Sequence, residues 1–154
     1  MKLSVIGAGA MGGATVEGLL KTDIFSAQDI TVADPCEPVL ERFRKYGTQT
    51  TTCNADAVEG RDVVMVVVKP WLVEPVLEGI KDKMDYSRQL LVVVAAGVAS
   101  EDILRWMDKC DGSMPKLTLA IPNTAIAQRQ SMTFIVPVNV TEEEKTAVCG
   151  IFDS

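Results

Sequence analysis

The chain has 154 residues, 47% of them hydrophobic and 23% charged, with a net charge of −6. That length suits one domain with its own core, and the acidic balance excludes nucleic acid and anionic membrane as partners, since both are held by clustered positive charge. There is no histidine, which excludes Ser-His and Cys-His nucleophile pairs, His-bearing zinc sites and an imidazole acid acting on a carbonyl.

In chain order, Lys2–Ile6 is short, apolar between its ends and followed by glycines, so it is expected to be a strand, with Ala10–Leu20 as the helix after it. Ile30–Ala33 reads as a second strand and Pro38–Tyr46 as a second helix with its charges on one side. Gln49–Thr52 is a weaker strand, read from its β-branched threonines, and Asn54–Glu59 a short helix with Asn54 as the expected N-cap. Val63–Val68 is apolar at every position, the pattern of a parallel strand covered on both faces, and Leu90–Val94 repeats it. Between these two, Leu72–Lys83 is helical by spacing.

A helix over Glu101–Cys110 behind Ser100 follows, then strands near Lys116–Ala120 and Met132–Val136. The last helix, Glu142–Phe152, is announced by a capping box of Thr141 and Glu144. This alternation predicts an α/β, Rossmann-type doubly wound fold, with a mostly parallel sheet and helices on both faces. The chain stops directly after a helix, where the pattern would continue into another strand, so it is read as part of a longer protein.

The four cysteines, Cys36, Cys53, Cys110 and Cys149, form no CxxC pair. They are read as reduced thiols of a cytoplasmic protein, and no metal site is expected. The apolar run Leu3–Ile6 is too short for a secretory core, and no uncharged apolar stretch reaches the ~18 residues of a membrane span.

Chemistry is concentrated in a few segments. Gly7-Ala8-Gly9-Ala10-Met11-Gly12 fits G-x-G-x-x-G between an expected strand and an expected helix, the context that gives the pattern meaning. Gly7 would permit the tight turn, Gly9 would let the backbone approach a pyrophosphate, and Gly12 would let the helix pack closely. The N–H groups that open the helix would then face the phosphates. Asp34 ends the second strand near the ~20-residue spacing expected of an acid that bonds an adenosine ribose. A carboxylate there favours the two hydroxyls of NAD over the 2′-phosphate of NADP, although Asp34-Pro35 is also turn chemistry.

Ligands in open α/β sheets sit outside the carboxyl ends of the strands, where strand order reverses. Three further segments end strands there: Lys69-Pro70-Trp71, Ala95-Ala96-Gly97 and Pro122-Asn123-Thr124. The first supplies a cation, the second leaves space for a ring, and the third supplies hydrogen-bonding groups.

With these motifs on the page, the sequence resembles the nucleotide-binding domain of pyrroline-5-carboxylate reductase. The residues that carry the resemblance are Val5 to Gly12, Val68-Lys69-Pro70, Ala95-Ala96-Gly97-Val98, Pro122-Asn123-Thr124 and Met132-Thr133, in that order. The resemblance implies an oxidoreductase that moves a hydride from NADP or NAD to a cyclic imine such as pyrroline-5-carboxylate, completing proline synthesis. It implies a dinucleotide-binding domain over 1–154, without the family's C-terminal helical dimerisation domain, and a homo-oligomer for the full-length protein.

By position, the resemblance places Gly7, Gly9, Ala10, Met11 and Gly12 at the phosphates, and Asn54 near the adenosine end of the cofactor. Val68, Lys69 and Pro70 fall by the nicotinamide ribose, Ala95 to Gly97 along the ring side, and Asn123 and Thr124 near the nicotinamide and the substrate. Lys69, Asn123 and Thr124 are the candidates for a direct part in the chemistry. A cyclic imine can be protonated before hydride arrives, so the missing histidine fits imine reduction better than ketone reduction. The chain departs from the family's usual residues at Ala10, Ala125, Ser131 and Asp34. Two other readings remain: a related reductase of the same superfamily, such as a deazaflavin-dependent NADP reductase or a prephenate-type dehydrogenase, and a module that senses dinucleotides without catalysis.

Overall fold

The computed structural model describes residues 1–122 and 132–153. Seven strands, β1 (Leu3–Ile6), β2 (Ile30–Ala33), β3 (Gln49–Thr51), β4 (Val63–Val66), β5 (Leu90–Val93), β6 (Lys116–Ile121) and β7 (Phe134–Pro137), form one sheet in the order β3-β2-β1-β4-β5-β6-β7. All neighbours from β3 to β6 pair in parallel, and β7 lies antiparallel on β6. The chain winds outward through β1, β2 and β3, then returns to the other side of β1 with β4. The reversal therefore falls between β1 and β4.

The helices are α1 (Ala10–Leu19), α2 (Glu37–Arg44), α3 (Asn54–Val58), α4 (Pro70–Ile80), α5 (Ser100–Trp106) and α6 (Glu142–Phe152). They cover the sheet on both faces, which explains the uninterrupted apolar strands. Strand side chains alternate between faces, so Val63 and Met65 enter one core with Leu40 and Phe43 of α2 and Ile151 of α6. Val64 and Val66 enter the other with Val58 of α3, Leu77 of α4 and Ile103 of α5. All four β4 residues are fully buried, each worth roughly 1.5–3 kcal/mol relative to exposure. The edge strand β3 has no such burial, which is why its sequence signal is weak.

Several boundaries differ from expectation. β4 ends at Val66, although the Val67 N–H still bonds the Ile6 carbonyl at 2.8 Å. α4 starts at Pro70, not Leu72, with Lys69 as N-cap; proline suits the first helical position because its missing N–H would be unpaired there anyway. Its regular helix stops at Ile80, and Lys81–Lys83 continue as a 3-10 turn. Asn54 is not the N-cap of α3 but its first residue, because the Thr51 hydroxyl accepts from the Cys53 N–H at 3.0 Å and sets the turn one residue earlier. α5 ends at Trp106, short of Cys110, which lies in a left-handed conformation at φ 59°.

The capping box of α6 is present as expected. The Thr141 hydroxyl accepts from the Glu144 N–H, and the Glu144 carboxylate accepts from the Thr141 N–H. Glu144 also meets Lys116 of β6 at 2.6 Å, which ties the helix to the sheet. The Lys116 ammonium, and then the Thr141 N–H, hold the Glu144 carboxyl below its ordinary 4.5. Stability from this contact is therefore complete above about pH 4.5 and is lost as pH falls through the lower, folded-state value. Thr141→Ala is expected to cost about 1 kcal/mol in denaturant unfolding. Glu144→Gln should flatten the loss of stability below pH 4.5 relative to the parent protein, and an unchanged acid profile would remove Glu144 from that role.

Candidate functional site

The turn from β1 into α1 is packed without slack. Gly7 stands at φ +99°, and a Cβ on it would lie 2.2 Å from the Val67 carbonyl oxygen at the end of β4. A Cβ on Gly12 would lie 1.8 Å from the Gly7 carbonyl oxygen. Both glycines are thus demanded by the protein's own backbone. Gly9 is different: a Cβ there would meet nothing within 4 Å. Its side faces a cavity of about 640 Å³ that runs over the carboxyl ends of the strands. The opening N–H groups of α1, which have no intrahelical partner, lie on this loop, and the positive end of the helix dipole lies with them.

The cavity gathers most of the residues singled out from sequence. Gly7, Gly9, Ala10, Met11, Gly12, Asp34, Asn54, Val68, Lys69, Pro70, Ala95 and Ala96 all line it. Gly97 does not; it is an exposed turn residue at φ +76° just past the rim. Asn123 and Thr124 lie outside the described residues.

Asp34 forms the expected turn and also lines the cavity. Its Oδ2 accepts from the Ala8 N–H at 2.9 Å, tying the end of β2 to the glycine loop, and its Oδ1 accepts from the Cys36 N–H at 2.8 Å, closing the Asp-Pro turn. A carboxylate offers about four acceptor positions, so a ligand hydroxyl can still bond to it. Asn54, freed from capping, lines the cavity with its amide unpaired among the described residues. Lys69 also lines it, exposed, and its ammonium has no hydrogen bond or ion pair among the described residues.

Lys69 is the one cation among the described residues that line the cavity. The arginines of α2 are held elsewhere. Arg42 pairs with Glu17 of α1 at 2.7 Å. Arg44 pairs with Glu37 at 2.6 Å and with Glu41, and its Nε donates to the Thr50 hydroxyl at 2.7 Å. Those carboxylates, Glu37 first, raise the Arg44 pKa above its ordinary value.

Sequence reasoning named Pro122, which lines the cavity, but missed most of the apolar wall. Val67, Leu72, Val76, Val94, Ala120 and Ile121 also line it, with Ile6 and Pro35. Leu72 and Val76 carry a signal, four residues apart and hence on one helix face. Which face looks into the cavity is decided only by how α4 lies on the sheet. Chemically, the cavity pairs anion-directed N–H groups with an acid and an amide at one end, and a cation with small or apolar side chains at the other.

Residues 2–97 match the family described as NADP oxidoreductase, coenzyme F420-dependent. The chain is 32% identical to the pyrroline-5-carboxylate reductase of Methanosarcina acetivorans, over 99% of this chain and 56% of that protein. Its fold superposes with a TM-score of 0.89 on a pyrroline-5-carboxylate reductase from Coxiella burnetii, at 27% identity over 99% of this chain and 55% of that one. It also shares its fold, at a TM-score of 0.85 and 21% identity, with the NADP-bound pyrroline carboxylate reductase of Plasmodium falciparum, covering 99% of this chain and 54% of that one. The chain thus spans about half the length of these relatives.

The two kinds of glycine have separable consequences for folding. Gly12→Ala must displace the Gly7 carbonyl and is expected to cost about 1–3 kcal/mol in thermal or denaturant unfolding. Gly9→Ala, with open space before it, should cost less than about 1 kcal/mol. Equal destabilisation by both would contradict this division of labour.

Proposed function

The chain belongs to the NADP oxidoreductase, coenzyme F420-dependent family, and on that premise we propose that it is the dinucleotide-binding half of an NAD(P)H-dependent reductase acting on a cyclic imine of the pyrroline-5-carboxylate type. The observation that carries dinucleotide binding is Gly9: packing explains Gly7 and Gly12, whereas Gly9 lines the cavity with open space before it, leaving room for a ligand against the backbone. The substrate class is supported by pyrroline-5-carboxylate reductases matching over nearly the whole chain, while the family match ends at residue 97.

The residues present suit the cofactor. The N–H groups at the start of α1 would receive the pyrophosphate, Asp34 and Asn54 would hold the adenosine end, and Lys69 and Pro70 the other ribose. Ala95 and Ala96 leave room for the flat ring. The bound dinucleotide supplies the hydride, and an imine that arrives protonated asks no acid of the protein.

The work left to this chain is orientation and exclusion of water. Met11, Leu72 and Val76 would wall the reacting groups from solvent, the kind of positioning that can lower a barrier by roughly 7–11 kcal/mol when complete. Asn123 and Thr124 belong to this reading as groups close to the nicotinamide and substrate.

The single domain over 1–154 is part of the same proposal, with a C-terminal helical domain in a longer protein closing the substrate pocket and joining subunits as a homo-oligomer. We place the protein in the cytoplasm, in keeping with four free cysteines; no described helix is long and apolar enough to cross a membrane.

Calorimetric titration with NADH and NADPH is expected to show binding of at least one, and Gly9→Ala should weaken it by about tenfold or more, since a methyl group then stands where the pyrophosphate must approach. Binding of neither dinucleotide would end this reading. A chain continued by the half that its relatives carry should oxidise the bound dinucleotide with pyrroline-5-carboxylate, much faster than residues 1–154 alone. Binding without turnover on any cyclic imine would leave a dinucleotide sensor.

A further inference from the structure

Away from the cavity, three buried polar atoms lie together beneath α3. The Ser4 and Thr31 hydroxyls and the Arg61 Nε have no hydrogen-bond partner among the described residues. We infer that these three groups form the binding site of one ordered internal water molecule, which bonds all three and fills the floor under α3.

The strand register puts the three groups in one row. Ser4 of β1 stands opposite Thr31 of β2, and Thr31 stands opposite Gln49 of β3. Leu3 and Val5 on either side of Ser4, and Ile30 and Val32 on either side of Thr31, enter the core with α2 and α6. Side chains alternate along a strand, so both hydroxyls face the other way, toward α3. That helix lies across β1, β2 and β3. Arg61 follows it, and its Nη2 donates to the Gln49 Oε1 at 3.0 Å, which carries the guanidinium to the end of the same row. From above, α3 brings only Ala57 and Val58 into the core, short side chains that offer a hydroxyl no partner.

Neighbouring strands lie about 4.8 Å apart, which is wider than a direct bond of about 2.8 Å between two hydroxyls. A water placed between them, at about 2.8 Å from each, spans the gap. Hydroxyls donate or accept, so the same water can also accept the Arg61 Nε–H, and about three bonds is usual for a buried water. The rest of the floor is satisfied by protein: the Gln89 amide donates to the Val58 and Arg61 carbonyls, each at 2.8 Å, and closes the last turn of α3. Thr118 of β6 makes the contrast. Its hydroxyl is also buried and unpartnered among the described residues, but it stands opposite Val92 on the other face, with an apolar core around it. A water there would have one polar partner, too few to hold it. Because α3 begins at Asn54, which lines the cavity, the proposed water belongs to the seat of a helix that forms part of the cavity wall.

A crystal structure that resolves ordered water should show one molecule within about 3.2 Å of the Ser4 Oγ, the Thr31 Oγ1 and the Arg61 Nε. No water there, or one that reaches fewer than all three, overturns the inference. In thermal unfolding, Thr31→Val keeps the side-chain volume and removes a bond to the water, so the midpoint should fall by about 2–4 °C. Thr118→Val, which strips a hydroxyl with no water to serve, should leave the midpoint unchanged or raise it. A T31V midpoint at or above the parent's, or as large a fall in T118V, overturns the inference. Ser4→Ala should also lower the midpoint, and the T31V/S4A double variant should fall by less than the sum of the two, since either change already weakens the shared water. Additive falls overturn the shared site. Should T31V not fold, the crystal structure decides alone.

Discussion

The start of α1 lies so close to the turn after β1 that neither Gly7 nor Gly12 can carry a side chain: the Val67 oxygen stands where one Cβ would be and the Gly7 oxygen where the other would be. This contact fixes the direction in which α1 leaves the sheet, and with it the direction of the helix dipole and its unpaired N–H groups. It also places the loop at the β1–β4 reversal, the point where helices on opposite faces diverge and leave a crevice. The cavity, its anion-directed wall and the open space before Gly9 all follow from that close approach.

A second constraint locks the loop from the side. Asp34 ends β2 and bonds the Ala8 N–H, so the geometry of the glycine loop depends on a residue that also lines the cavity. Loop shape and the charge at this end of the cavity are therefore not independent. The acids that hold Arg42 and Arg44 extend the same logic outward: an overall charge of −6 appears locally as cations that are spoken for. Lys69 stands apart because it is unpaired among the described residues and lies across β1 from the acid.

Legibility from sequence tracked the range of the interactions. Val63–Val66 and Leu90–Val93 were readable because burial on both faces forces every position to be apolar. The capping box was readable because Thr141 and Glu144 are three residues apart and need nothing else. α4 starts two residues before the Leu72 that spacing indicates, because Pro70 occupies the first helical position, where a missing N–H costs nothing. Asn54 was misjudged because the cap of α3 is decided by a turn that begins at Thr51. The antiparallel course of β7 had no local signature, since its pairing with β6 is a relation between Ile121 and Phe134 across an intervening loop.

By itself the sequence determined the α/β alternation, the glycine loop at the end of β1 and the residues that end the other strands. Each of these is written in spacings of a few residues, where backbone geometry and side-chain size act directly. Only the tertiary structure decided that Gly9 faces open space while Gly7 and Gly12 face backbone, and that Gly97 lies past the cavity. It also decided that Leu72 and Val76 wall the cavity, and that Glu17 holds Arg42 from 25 positions away. These depend on how elements distant in the chain are packed against one another, and no local pattern carries that information.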